Sequence, residues 1–363
     1  MSTPSSRLRV GILILAAVAL LGCALIGIHA PQQAASSYLA AYVFFLGAVL
    51  GSVALLMVHA LTGGEWGVEL RPALLAAARL VPVLALLVLP VFFCLSRLYP
   101  WTTPGTQAPG VLGAQFSRQQ WYLNLPFFLA RAVGCFALWI WVARGLRRRL
   151  LLQGPGVALS RFAVIGLIIY LPTVTVAAVD WIMSLVPAWH SSTFGLLIGT
   201  GQLLTGAALA IASVSGTARS NTLRDFGGVL LALVLAWAYL AFVDYLTAWS
   251  ADLPGETVWY LPRVRTTWEW VAGMLVVCQV AVPFGLLLSP RIRQSRSWLR
   301  AVAALLLLSQ AAYALWIVLP GFRSDGFSLR WTDALAWLGI GGVCWAMFDL
   351  RLASPAAVRE RAA

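Results

Sequence analysis

AAVDWIMSLVPAWHSSTFG, residues 177–195, joins two apolar runs, 158–185 and 191–215. Each run is long enough to cross a bilayer, for which about 20 apolar residues suffice. Read as the turn between two membrane helices, the stretch places a carboxylate, Asp180, and an imidazole, His190, where charge is costly. Working outward in both directions, the same pattern recurs. Cutting the chain at its polar and Pro/Gly-rich clusters gives ten segments: 10–29, 38–61, 74–98, 121–144, 158–185, 191–215, 224–250, 263–289, 298–319 and 331–350. Of the 363 residues, 61% are hydrophobic and 10% charged, and the mean hydropathy is +0.87. The expected fold is therefore an all-α polytopic membrane protein, one integral membrane domain over residues 1–363. The longest connections, 99–120 and 251–262, leave no room for a soluble domain. The first segment is longer than the apolar core of a signal peptide, about 7 to 15 residues, and is read as a retained helix.

The formal net charge is +13, and all 25 basic residues are arginine. In a membrane protein this basicity sets orientation, and nucleic-acid binding is not expected. Taking connections alternately, 18 arginines fall on one side: 7, 9, 71, 79, 144, 147, 148, 149, 161, 219, 224, 291, 293, 296, 300, 351, 359 and 361. Arg97, Arg118, Arg263, Arg265, Arg323 and Arg330 fall on the other. One span missed or invented would exchange the sides of every later loop and spoil this imbalance. Both termini are thus expected in the cytoplasm. Pro82, Pro90, Pro126, Pro172 and Pro283 lie inside the segments and predict kinks. Small residues recur on the second and sixth segments (Gly47, Gly51 and Ser52; Gly199, Gly201 and Gly206), a faint sign of two related bundles.

An ionisable group within a span is a functional candidate by default. At about 1.5 Å of rise per residue, Asp180, Asp244 and Glu269 fall in one layer toward the outer leaflet, each about five or six residues from a helix end, with His190 beside them. Such a layer suits a proton-accepting or proton-relaying role next to an apolar ring, and a quinol is the obvious ligand. Trp181, Trp237, Tyr239 and Tyr245 are candidate walls. Each candidate also has a plain reading: interhelical hydrogen bonding for Asp180, neutralisation or burial for Asp244, an ion pair with Arg265 for Glu269, an interfacial ring for His190. Arg131, close to the midplane, demands a carboxylate partner, either Asp180 or Asp244. That pair suits a relay and rigid packing equally. His59, followed by Glu65 and Glu69, marks a candidate inner mouth of a proton path, although an ordinary interfacial histidine is the commoner case. Gln202, Gln279 and Gln310 are expected to hydrogen-bond between helices. The three histidines, His29, His59 and His190, lie near helix ends and are not opposed as haem ligands are. Cys23, Cys94, Cys135, Cys278 and Cys344 have no metal-site spacing. Neither haem nor metal is expected.

FFLGAVLGSVALLMVHALTGGEWG (44–67), RLYPW (97–101), DWIMSLVPAWHSSTFG (180–195), GQLLTG (201–206) and LAWAYLAFVDYLTAWSADLPGETVWYLPR (235–263) together resemble a known family. It is the ActF-type quinone-binding subunit of bacterial alternative complex III, a quinol:cytochrome c oxidoreductase, within the NrfD-like group. The resemblance implies two four-helix bundles plus two further helices and no redox centre of the subunit's own. It also implies a multi-pass place in the bacterial inner membrane beside a second NrfD-like subunit, an iron-sulfur subunit and multihaem cytochromes c. The role implied is a menaquinone or ubiquinone pocket, a proton path, or both. The family usually has two histidines before LTGGEWG, where this chain has His59-Ala60. It more often has glutamine at the position of Asp244, and an acidic pair where only Glu256 remains. Asp180 and Trp181 match better, which ranks Asp180 first as proton acceptor. A secondary transporter and a purely structural anchor are the rival readings. A transporter is expected to show broken helices and clear repeat symmetry around its site.

Overall fold

A computed structural model describes residues 6–103, 120–152, 154, 156–214, 219–323 and 325–352. Most of the 99–120 connection, and Arg118, Arg359 and Arg361 of the arginine tally, lie outside the described residues. The described chain is helical and has ten helices long and apolar enough to cross a membrane. They are α1 (Arg7–His29), α2 (Pro31–Thr62), α3 (Glu65–Phe93), α4 (Leu125–Leu152), α5 (Val157–Leu185), α6 (Phe194–Ser213), α7 (Ser220–Ala251), α8 (Trp268–Leu288), α9 (Arg296–Gly321) and α10 (Trp331–Leu350). The ten segments read from the sequence correspond one to one. The ends differ most at α3, which starts at Glu65, and at α4, which runs on to Leu152. Those polar extensions stay helical because Glu and Arg are good helix formers that reach solvent from a helix face.

Helices α2 to α5 pack as one four-helix bundle and α6 to α9 as another, while α1 and α10 pair with each other along α2. The two bundles meet at α2 and α6, and the small residues explain why. A Cβ added at Gly51 would collide with the Gln202 backbone, and one at Gly206 would stand 2.6 Å from the Ser52 nitrogen. The backbones therefore touch, as small-residue stripes permit in membranes. This contact makes α2 and α6 the most buried of the ten helices, whereas α1 shows most of its apolar surface outward.

Cross-links between helix ends define the two poles. At one pole Arg9 pairs with Asp349 at 2.7 Å, Arg219 lies 3.5 Å from Glu65, and Arg296 and Arg300 both donate to the Val214 carbonyl. At the other, the Tyr99 hydroxyl donates to the Trp181 carbonyl at 3.1 Å. There too Arg323, Asp333 and Ser37 form a buried clamp, with Arg323 Nη2 2.7 Å from Asp333 and the Ser37 hydroxyl 2.6 Å from the same carboxylate. The arginines assigned to one side gather at the first pole.

Two helices are irregular. The α3 segment bends after Ala78 and at Val88, each next piece starting with a proline in its first turn, Pro82 and Pro90. Leu80 and Val88 keep right-handed helical dihedrals, so α3 is kinked rather than unwound. Helix α8 contains a π-helical stretch, Val276–Ala281, just ahead of Pro283.

Candidate functional site

The polar pole opposite the arginine-rich one carries two separate centres, one in each bundle. The first is in the α2–α5 bundle. Arg131 and Asp180 form a two-pronged ion pair, Nε to Oδ2 at 2.7 Å and Nη2 to Oδ1 at 2.9 Å. A third guanidinium N–H donates to the Tyr122 carbonyl at 3.0 Å, and the rings of Tyr122 and Phe127 stack on the guanidinium at 3.8 and 4.2 Å. Asp180 is thus the partner that Arg131 requires; because α4 begins at Leu125, Arg131 stands in its second turn, near the helix end, and not close to the midplane as expected from the sequence. Trp181, the next residue, is core: it stacks on Phe136 at 5.7 Å and meets Trp139 and Tyr42 edge-on. His190 is exposed, at the rim of a groove that includes Tyr122, Ser184 and Trp189. Burial, and then the Asp180 charge, lift the Tyr122 phenol above its ordinary range, so it stays protonated.

The second centre lies in the α6–α9 bundle around Asp244, on α7. Its carboxylate is buried and is held by hydroxyl groups. Ser191 and Thr193 donate to Oδ1, the latter at 2.9 Å, and Tyr260 donates to Oδ2 at 2.5 Å. Ser191 and Thr193 come from the turn before α6. Tyr260 comes from the α7–α8 connection, between the short helices Pro254–Thr257 and Leu261–Val264. Burial first, and the Asp244 charge second, raise the Tyr260 phenol, which keeps it a donor across the accessible pH range.

Asp244 borders a cavity of about 390 Å³. Its walls are largely aromatic: Trp237, Tyr245, Trp259, Tyr260, Tyr313 and Trp316, with Val276 and Val280 from the π-helical stretch of α8. Trp237 meets Tyr313 edge-to-face at 5.1 Å. Trp259 stacks flat on Trp189 at 4.2 Å, joining the two connections that cover the pocket. Phe242, Tyr245 and Val276 are lining residues that also reach the lipid-facing surface, so the cavity has a lateral mouth. The indole nitrogens of Trp237 and Trp316, two of the lining residues, are buried without an acceptor among the described residues. Neither amide atom of Gln279, wholly buried in the π-helical stretch, has a protein partner there either. A π-helical turn inside a membrane helix is a frequent mark of a binding wall.

Arg263 stands behind this pocket. Its guanidinium donates to the carbonyls of Trp259, Trp316 and Ile317 and stacks on Trp259 at 3.5 Å. Burial pushes its pKa down to about 9, which leaves it charged at neutral pH.

Of the residues singled out in the sequence, Asp244, Trp237 and Tyr245 meet at this pocket. Asp180, Trp181 and Arg131 belong to the other bundle. Glu269 is exposed in the first turn of α8, because that helix begins at Trp268 rather than Arg263. Tyr239 is 66% exposed toward the surrounding lipid and does not line the cavity. His59 closes the α2–α3 turn, its Nε2 3.0 Å from the Gly64 carbonyl and its ring edge-on to Trp66. Gln202 makes the expected interhelical bond, accepting from the Tyr170 hydroxyl at 2.9 Å. Tyr260, Ser191, Thr193, Tyr313 and Trp316 were not singled out as site residues from the sequence. The clue available for Tyr260 and Ser191 was their place in the two connections that flank the carboxylate's helix end.

Among the described residues no three His, Cys, Asp or Glu side chains group as a metal site would require. The chain matches no protein-family model and no curated protein.

Proposed function

We propose that this chain is a membrane subunit of a quinol-oxidising respiratory complex, of the kind its sequence motifs resemble, and that the Asp244 pocket takes the quinone ring. The observation that carries the reading is one buried carboxylate, held only by hydroxyl donors, at the edge of an aromatic cavity with a lateral mouth. A quinol releases two protons with its two electrons, so its pocket needs an acceptor that tolerates both charge states. Hydroxyl partners can turn to donate or accept as a carboxyl gains a proton, whereas a guanidinium opposes its protonation. On that ground the accepting role moves from Asp180, ranked first by sequence, to Asp244. Tyr260 fixes the carboxylate, the Trp237 ring forms part of the wall, and Arg263 adds positive field behind the aromatic wall. Electrons leave to redox centres on neighbouring chains, which the resemblance gives as an iron-sulfur subunit and multihaem cytochromes c in a bacterial inner membrane.

The transporter reading gains no support from α3, whose bends keep helical dihedrals and present no unwound backbone to a substrate. The anchor reading fits Arg131–Asp180, but leaves the aromatic cavity and the buried indole N–H groups without a purpose. The test is quinone content and turnover in the intact complex. Asp244→Asn keeps the shape of the carboxyl and removes its basicity. Loss of a general base typically slows turnover by 10²-fold or more, so quinone should stay bound while turnover falls on that order. Unchanged turnover would reject the proposal.

A further inference from the structure

The arginine-rich pole holds a cleft that quinol chemistry does not use. Its volume is about 210 Å³, and it lies between α3 and α4. Three of its lining residues are arginines, Arg79, Arg144 and Arg147, and the other five are Leu75, Ala78, Pro82, Ile140 and Ala143. Among the described residues no carboxylate lines it. On α4 the lining positions 140, 143, 144 and 147 share one helical face, and on α3 the positions 75, 78, 79 and 82 do the same.

The bend in α3 opens this cleft. Beyond it, Val81–Leu87 packs directly on α4, whereas Glu65–Ala78 turns away to make its main contacts with α2, α6, α7 and α10. The cleft lies where these two pieces of α3 meet α4. Arg144 and Arg147 are exposed at its margin and Arg79 is half-buried in its wall. Pro82 and Ile140 lie toward the middle of the membrane, about two turns of α4 deeper than Arg147.

Arginine side chains gathered around one apolar cleft, with Arg144 and Arg147 exposed at its margin, match a particular chemistry. A phosphate diester offers forked acceptors to several arginines, and an acyl chain continues over proline, isoleucine and alanine surface. Basic pockets between membrane helices are a known mode of anionic headgroup binding. We propose that the α3–α4 cleft binds an anionic membrane phospholipid, its phosphate among Arg79, Arg144 and Arg147 and one acyl chain along Pro82 and Ile140.

The test uses the full-length protein in detergent. Its thermal stability and lipid retention by native mass spectrometry are measured with added phosphatidylglycerol, phosphatidylcholine or inorganic phosphate. Phosphatidylglycerol is expected to remain bound and to raise the melting temperature, with phosphatidylcholine and excess phosphate doing neither. The double variant R144Q/R147Q is expected to lose retention about tenfold, and Arg148→Gln, exposed on the same helix outside the cleft, to keep it. Both are surface changes compatible with folding. Equal stabilisation by inorganic phosphate would assign the site to a free anion and overturn the lipid proposal. Equal retention by the double variant would overturn the site itself.

Discussion

Asp180 and Asp244 are both carboxylates buried near the same membrane face, and their partners give them opposite chemistry. Asp180 shares two charge-assisted bonds with Arg131. Removing one member of a buried pair costs about 3–5 kcal/mol, while replacing both with apolar residues is often nearly neutral. Asp180→Asn and Arg131→Leu should therefore each lower the unfolding midpoint strongly in detergent, and the double variant R131L/D180L should recover much of the loss. Equal loss in all three would show that the pair does more than hold helices together. Asp244 has three hydroxyl partners instead. Tyr260→Phe leaves the cavity shape and removes one charge-assisted bond, worth roughly 1.5–3 kcal/mol. Turnover should then fall several-fold in a folded protein, because the carboxylate loses the donor that fixes its position. Unchanged turnover would count against Asp244 as acceptor. Both acids were legible in the sequence, since a carboxylate in an apolar run stands out whatever surrounds it. Their partners were not. Ser191, Thr193 and Tyr260 sit in connections whose paths are fixed only when two bundles close over them.

At the scale of elements, the α2–α6 contact decides the architecture. Gly51 and Gly206 touch the facing backbone, so a methyl group at either has no room. Overpacking of this kind costs roughly 1–3 kcal/mol. Gly51→Ala and Gly206→Ala should lower the melting temperature clearly, whereas Gly134→Ala and Gly273→Ala, with open space at the Cβ position, should leave it unchanged. A similar response from all four would place the bundle contact elsewhere. The glycine stripe was visible in the sequence as a hint of two bundles. The bend of α3 was legible too, from Pro82 and Pro90. The π-helical stretch was not, because an i→i+5 turn has no residue signature beyond the proline that follows it. The early start of α3 was missed for a simple reason: GGEWGVELR is polar enough to read as a loop, although from Glu65 on it is helical.

For the molecule as a whole, we propose that the arginine-rich pole faces the cytoplasm, which the arginine imbalance favours, and with ten spans among the described residues both chain ends are expected on that side. A fluorescent-protein fusion at the C-terminus should glow and an alkaline-phosphatase fusion there should be inactive; the reverse would invert the orientation. With the arginine-rich pole inward, the Asp244 pocket opens toward the outer leaflet, where released protons have the shorter way out. Span number follows from the apolar runs, which report on lipid, and the small-residue stripes hinted at two bundles, a layout otherwise implied by the resemblance; the pairing of α1 with α10 was not legible in the sequence. The pocket itself needed the tertiary structure, because its aromatic walls come from three helices and one connection, and single tryptophans are common along every span. The central claim is that a quinone ring occupies this cavity. A photoreactive quinone analogue added to the native membrane complex, followed by peptide mapping, addresses it directly. Label on α7 around Trp237 and Tyr245 and on α8 around Val276, displaced by unmodified quinol, is the result the account predicts. Label confined to the groove at Tyr122, Ser184 and His190, or not displaced by quinol at all, would contradict it.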